Sequence, residues 1–378
     1  MASATDCIIV GAGVVGLTAA LRLRAAGVAV AIVDPAEPGC ESSWAAAGIL
    51  APQVEAHGPG PLFDLLRASC RLWPDWAAEL RAQSGLDIGY RQEGTLVVAH
   101  DEAAAARLDA SCAWQARAGL PLQRLAPQEI CERESSLAPA LAGVWLPEDR
   151  QVDSRALVCA LVAVCRAAGV EFVRAPVRAV RHDDVRVLGV ELDAGVRAAG
   201  HVVVAAGAWS AELAGVPLRP GAVFPVRGQM LALRAPVDAL RHIVFGAGGY
   251  LVPRSDGRVL CGSTEERVGF TRATTAAGLA ELESRAAQLC PLLATAPRVD
   301  HWAGLRPASH DGLPFIGATA IAGLHLATGH FRNGIVLAPL TAAIITALVT
   351  NRAPPVDLTP LSPARQNMGR NIDPDVRS

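Results

Sequence analysis

The sequence predicts an α/β fold in two parts, one a parallel sheet wrapped by helices, the other mostly antiparallel β-sheet. Three observations predict it. At 378 residues the chain exceeds what one hydrophobic core ordinarily serves. Its N-terminal stretch "DCIIVGAGVVGLTAALRLRAAGVAVAIVD" reads as apolar strand, glycine turn, helix and second apolar strand. From about Phe224 the pattern turns β-like, in "QMLALRAP" and "GYLVPRSDGRVLCGST".

The N-terminal element is the most informative. Gly11, Gly13 and Gly16 fit GxGxxG in the strand–turn–helix context the motif requires. The first glycine makes the tight turn, the second admits a pyrophosphate to the backbone, and the third lets helix and strand pack closely. Free amides and the helix dipole then favour an anion at the helix start. Asp34, ending the second strand, is placed to take ribose hydroxyls. This half therefore reads as Rossmann-like and dinucleotide-binding.

Composition narrows the classes. Hydrophobic residues make up 51% and charged residues 19%, which suits a buried core rather than a disordered chain. A net charge of −2 offers no attraction to nucleic acid or an anionic membrane. There is no lysine, which excludes pyridoxal phosphate and Schiff-base chemistry. Nine scattered cysteines without CxxC pairs, and no signal-like start, are expected of reduced thiols in a cytoplasmic protein. No HExxH or Cys/His cluster suggests a metal, and "GIVLAPLTAAIITALV", interrupted by Pro339, is short for a membrane span.

Two further segments carry chemistry. After Asp34, "PAEPGCESSWAAAGILAPQ" is a polar turn with Ser42 and Ser43, then small residues to Gly48 that let backbone lie against a large flat group. Near the C-terminus, "HWAGLRPASHDGLPFIG" (301–317) reads as a turn-rich loop with Gly304, Pro307, Gly312 and Pro314. Arg306 sits in its middle. A buried lone guanidinium is costly, so it calls for an anion, either a carboxylate of the chain or one on a ligand.

Six stretches together, "VGAGVVGL", "ESSWAAAGILAP", "VVVAAGAWS", "YLVPR", "GLRPASHDGLPFIG" and "GHFRNGI", resemble the D-amino-acid oxidase superfamily of flavoproteins, above all its glycine oxidases. The likeness runs nearly end to end, and the last two stretches are its most specific part. It implies FAD, held without a covalent bond, at Gly11, Gly13, Val14, Val15, Gly16 and Asp34, and at Ser42, Ser43, Ala47, Gly48 and Ile49. Val177 would meet the adenine side through its backbone, with Gly207 nearby. The strand–turn–helix of "LHLATGHFRNGIVLAPLTAAIITALV" would complete the site through His330, Phe331, Arg332, Asn333, Gly334, Ile335 and Val336, its helix start facing the flavin pyrimidine.

The same likeness assigns Arg306 to the substrate carboxylate, with Tyr250 and Arg332 beside it. A guanidinium fork matches a carboxylate in two-pronged fashion. Tyr90 and Tyr250 are the chain's only tyrosines, so few residues compete for the hydroxyl role. Hydride transfer to flavin needs no protein base at carbon, so no catalytic acid or base is assigned.

The implied reaction is oxidative deamination of glycine, sarcosine, D-alanine or D-proline, giving a keto acid (glyoxylate from glycine), ammonia and hydrogen peroxide. The imine can also feed thiamine thiazole synthesis. The expected partners are a small amine and oxygen, with homo-oligomerisation left open. Gly304 stands where sarcosine oxidases attach flavin through cysteine, and their oxygen-activating lysine has no counterpart. A D-amino-acid dehydrogenase passing electrons to a quinone is the alternative, followed by a tRNA-modifying flavoprotein domain. Residues 1–83, 151–223 and 303–366 are expected to form the FAD-binding domain, 84–150 and 224–302 the substrate domain, and 367–378 a disordered tail.

Overall fold

A computed structural model describes residues 5–55 and 58–367. All but Asn367 of the expected tail lies outside them.

The first half is a six-stranded sheet. Its order runs Phe315–Ala318, Leu324–Thr328, His201–Val204, Cys7–Val10, Val30–Asp34, Glu171–Arg174. All neighbours are parallel except the first pair. Both faces are covered, which is why these strands read as unbroken apolar runs. Successive side chains still alternate. Cys7, Ile9, Val30, Ile32 and Val203 pack under the helices Val14–Ala25, Pro61–Ser84, Ser154–Ala167 and Gly334–Val349. Ile8, Val10, Ala31, Val33, Val202 and Val204 pack on the other face, against a three-stranded sheet of Ala179–His182, Val187–Leu192 and Gly195–Ala198.

The second half is an eight-stranded sheet. Its order runs Arg298–Ser309, Val223–Arg234, Arg258–Gly262, Gly249–Pro253, Ile243–Gly246, Thr95–Ala99, Ala142–Leu146, Gln123–Leu125. One pairing, Ile243–Gly246 with Thr95–Ala99, is parallel and the rest are antiparallel. Leu231, Leu233, Leu251 and Cys261 face the helix Ala276–Leu289. Their neighbours Met230, Ala232, Tyr250, Val252 and Leu260 face the opposite way. That second face closes the site.

Two expectations are corrected. Residues 301–309 are not loop: they belong to the twelve-residue strand Arg298–Ser309, and the turn begins only at His310. Gly304 and Pro307 do not break it because it is an edge strand, where a missing N–H or side chain is tolerated. The strand also runs through the expected domain boundary at 302/303, so Arg306 rides on the second sheet. The apolar stretch containing Pro339 is, as the strand–turn–helix reading expects, the helix Gly334–Val349. Ser69 Oγ and Trp73 Nε1, 2.6 and 2.9 Å away, donate to the Val336 carbonyl beside the proline. The partner supplying them, the 24-residue helix Pro61–Ser84, has no counterpart in the sequence reading.

Candidate active site

Between the two sheets lies a cavity of about 670 Å³, a volume ordinary for a cofactor or ligand site. One end is made of backbone. Gly11 has φ +109°, and a Cβ there would lie 2.4 Å from the Ala205 carbonyl oxygen, so only glycine lets the turn meet the neighbouring strand. Ala12 N donates to Asp34 Oδ2 and Ala36 N to Oδ1, both at 2.8 Å. Val14 N donates to Ser43 Oγ at 2.9 Å. Asp34 and Ser43 thus brace the turn while still lining the cavity.

Two helix starts open onto this space, at Gly13–Val15 and Asn333–Ile335, and neither first turn carries an acidic residue. No first-turn carboxylate offsets either dipole, though at the first start Ser43 Oγ already takes the Val14 N–H. Asn333 is buried, and its Oδ1 has no partner among the described residues. This cradle of glycine backbone, uncompensated helix starts and an orphaned amide oxygen fits a phosphate-bearing cofactor. Ala47, Gly48 and Ile49 form one wall, Val177 and Gly207 another, and His330, Phe331 and Arg332 a third. His330 is held neutral by burial, its pKa lowered to about 4, and its Nε2 lies 3.1 Å from Thr341 Oγ1.

Two expected cofactor residues do not line the cavity. A Cβ at Gly16 would lie 2.1 Å from the Gly11 carbonyl oxygen, so Gly16 serves helix–turn packing. Val336 lies inside the helix core with its carbonyl occupied by Ser69 and Trp73. Sequence motifs mark contiguous runs, whereas a helix turns such residues away from a ligand every few positions.

The other end is built from side chains of the second sheet. Strand register pairs Val226 with Arg306, Gly228 with Gly304 and Tyr250 with Gly262, so Arg306, Gly304, Gly228, Met230 and Tyr250 share one face. Glycines make the room. A Cβ at Gly228 would lie 2.1 Å from the Arg306 guanidinium, and one at Gly262 would lie 2.4 Å from the Tyr250 ring. Gly304 lies under Ala45, where a Cβ would approach to 2.4 Å.

Arg306 donates to the Thr264 carbonyl at 3.2 Å and to Ser263 Oγ at 2.7 Å, both neutral acceptors. Among the described residues it forms no ion pair. Burial pushes its pKa down and the nearby Arg332 guanidinium adds to that, while Tyr250, Glu265 and Glu55 act against it from beyond ion-pair distance. Tyr250 is buried, and its hydroxyl makes only a 3.3 Å contact with Met230 Sδ. Arg332 differs. Its Nε lies 3.6 Å from Glu55 Oε2 and its Nη1 3.7 Å from Glu265 Oε2. Glu55 above all raises its pKa.

The structure thus brings Arg306, Tyr250 and Arg332 to one end of one cavity. It adds Glu55, Glu265, Ser263 and Thr264, which the sequence reading missed. The only signal for Glu265 is the run "STEER" (263–267), nothing local links it to Arg332, and Glu55 has no signal of its own.

Comparison with known proteins agrees with this geometry. Residues 6–348 match the family described as FAD dependent oxidoreductase. The glycine oxidase of Geobacillus kaustophilus is 38% identical over 95% of this chain and 97% of its own length. A crystal structure of glycine oxidase from that organism superposes with a TM-score of 0.91 at 37% identity, covering 95% of this chain and 98% of the other. The bifunctional protein ThiO/ThiG of Trichormus variabilis is 36% identical over 92% of this chain. The chain spans about half the length of that relative, 53%. No helix among the described residues is long and apolar enough to cross a membrane. The motifs, the fold and these likenesses converge: the chain belongs to the FAD-dependent oxidoreductase family, in its glycine oxidase group.

Proposed function

We propose that this chain oxidatively deaminates glycine and small amines of similar size (sarcosine, D-alanine, D-proline), with oxygen as acceptor. One observation carries the reading: Arg306 is a cation without a carboxylate partner among the described residues, beside the poorly satisfied Tyr250 hydroxyl, at the end of a cofactor-shaped cavity. A carboxylate entering there gains a two-pronged charge-assisted contact from Arg306 and a hydroxyl donor from Tyr250. Those contacts hold the substrate carbon in one orientation, which is the protein's main lever on the rate.

FAD, bound non-covalently across Gly11–Val15, Asp34 and the Asn333 helix start, would supply two-electron acceptance from the carbon–nitrogen bond. Walls of Ala47, Ile49, Met230 and Tyr250 exclude water from that bond. Outside the pocket the imine product hydrolyses to keto acid and ammonia, or serves thiazole synthesis for thiamine.

The test is spectroscopic. Adding glycine anaerobically to the yellow holoprotein should bleach its visible flavin absorbance, and admitting air should restore it with one peroxide per turnover. Bleaching without peroxide, but with reduction of a quinone dye, would assign a dehydrogenase instead. An unbleached flavin across glycine, sarcosine and the D-amino acids would end the proposal.

A further inference from the structure

We infer that Glu55 and Glu265 make this pocket selective for amines with a single carboxylate, rejecting those with a second acid group near nitrogen. The inference rests on the oxidase reading of the same site. Its ground is the unequal state of the two arginines. Arg306 meets only the Thr264 carbonyl and the Ser263 hydroxyl. Arg332 already faces two carboxylates, Glu55 at 3.6 Å and Glu265 at 3.7 Å. Formal charges at this end are therefore +1 at Arg306 and −1 over the Arg332–Glu55–Glu265 group.

An amino-acid zwitterion matches that polarity, with carboxylate on Arg306 and ammonium toward the acids. A second carboxylate on the nitrogen side would meet net negative charge and no unpaired guanidinium. Glu55 is mostly buried beside Arg332, while Glu265 is 57% exposed, so the like-charge encounter discriminates chiefly at Glu55.

The backbone beside Glu265 is held in place. Glu55 ends the short helix Pro52–Glu55 and lines the cavity. Glu265 is positioned by the residue after it. Glu266 exchanges backbone bonds with Arg227 at 2.9 Å in both directions, pairs with the Arg227 guanidinium, and accepts from Gln229 Nε2 at 2.8 Å and Thr264 Oγ1 at 2.6 Å. Loss of charge at Glu55 or Glu265 should change selection without reshaping this wall.

The experiment compares acetate with malonate as ligands of the oxidised holoprotein, read by perturbation of the flavin spectrum. It is paired with kcat/KM for glycine against iminodiacetate. Wild type should bind acetate the more tightly, and the Glu55→Gln, Glu265→Gln double variant should shift both ratios toward the diacid by about 10- to 100-fold. Glu55→Asp, which keeps the charge, should keep the wild-type preference.

Malonate binding wild type as tightly as acetate overturns the inference, and that arm needs no variant to fold. Ratios unchanged in a flavin-bound double variant overturn it too. Because the binding arm needs no turnover, a failure of glycine to reduce the flavin would count against the oxidase reading and leave the ligand comparison to decide this one.

Discussion

The two ends of the cavity are built by different means. The cofactor end is mainly backbone: glycine turns, helix starts and peptide amides that follow one another within short stretches such as 10–15 and 330–335. The proposed substrate end is side chain. Arg306, Tyr250, Glu55 and Arg332 come from four distant segments and meet only through the register of the second sheet and its contact with the first. Backbone geometry tolerates little substitution but specifies no substrate, whereas side-chain geometry can be altered residue by residue and sets what is bound. Damage to the first end should remove the cofactor and the fold's integrity together. Damage to the second should leave a folded yellow protein with altered kinetics.

The sharpest test of that contrast is Gly11→Val. A side chain at φ +109° and 2.4 Å from a backbone oxygen should cost about 2–6 kcal/mol, a large share of a domain's stability. Purified Gly11→Val should lack flavin and melt early; a yellow protein with unchanged Tm would break the distinction at its strong end.

Arg306→Ala should do the opposite. Flavin content and Tm should hold, while kcat/KM for glycine falls roughly 30- to 1000-fold, the loss of about 2–4 kcal/mol from a charge-assisted pair. Arg306→Lys should recover only part of this, since an ammonium cannot reproduce the fork. If Arg306→Ala lowered Tm and spared kcat/KM, the arginine would be structural.

Tyr250→Phe removes a neutral donor and should cost about 1 kcal/mol, near fivefold in kcat/KM. A null effect would mean that the hydroxyl serves only Met230.

The smallest effect lies at the wall behind Arg306. Burial alone would raise the Glu266 carboxyl, but hydrogen bonds from Arg227, Gln229 and Thr264, with the charge of Arg227, override it and lower its pKa from 4.5 to about 2. A folded-state pKa below the unfolded one stabilises at pH above the unfolded value, and the gain fades as pH falls from about 4.5 toward 2. Tm measured over that window should drop less steeply in Glu266→Gln than in wild type. Parallel curves would show that Glu266 is not coupled to folding.

Legibility followed the same divide. The strand–turn–helix at Cys7–Ala25 was readable because its period, its glycines and its cap are all local. The strand carrying Arg306 was misread because proline and glycine signal turns when judged locally, and an edge position that excuses them is a property of the whole sheet. The helix Pro61–Ser84, with Pro74 inside it, escaped for a similar reason. Its stability comes from the apolar face it buries against Gly334–Val349 more than from local propensity.

By itself, then, the sequence determined that a dinucleotide turn exists and where it begins, and marked Arg306 as a charge whose burial needs partners, since glycine stereochemistry and the cost of burying charge act on single residues. Tertiary structure alone decided which arginine is ion-paired within the chain. Arg332 and Arg306 are the same residue type in equally motif-like settings. Only folding brings Glu55 and Glu265 within 4 Å of one and leaves the other facing a hydroxyl and a carbonyl, because charge pairing depends on distance through space and not on position along the chain.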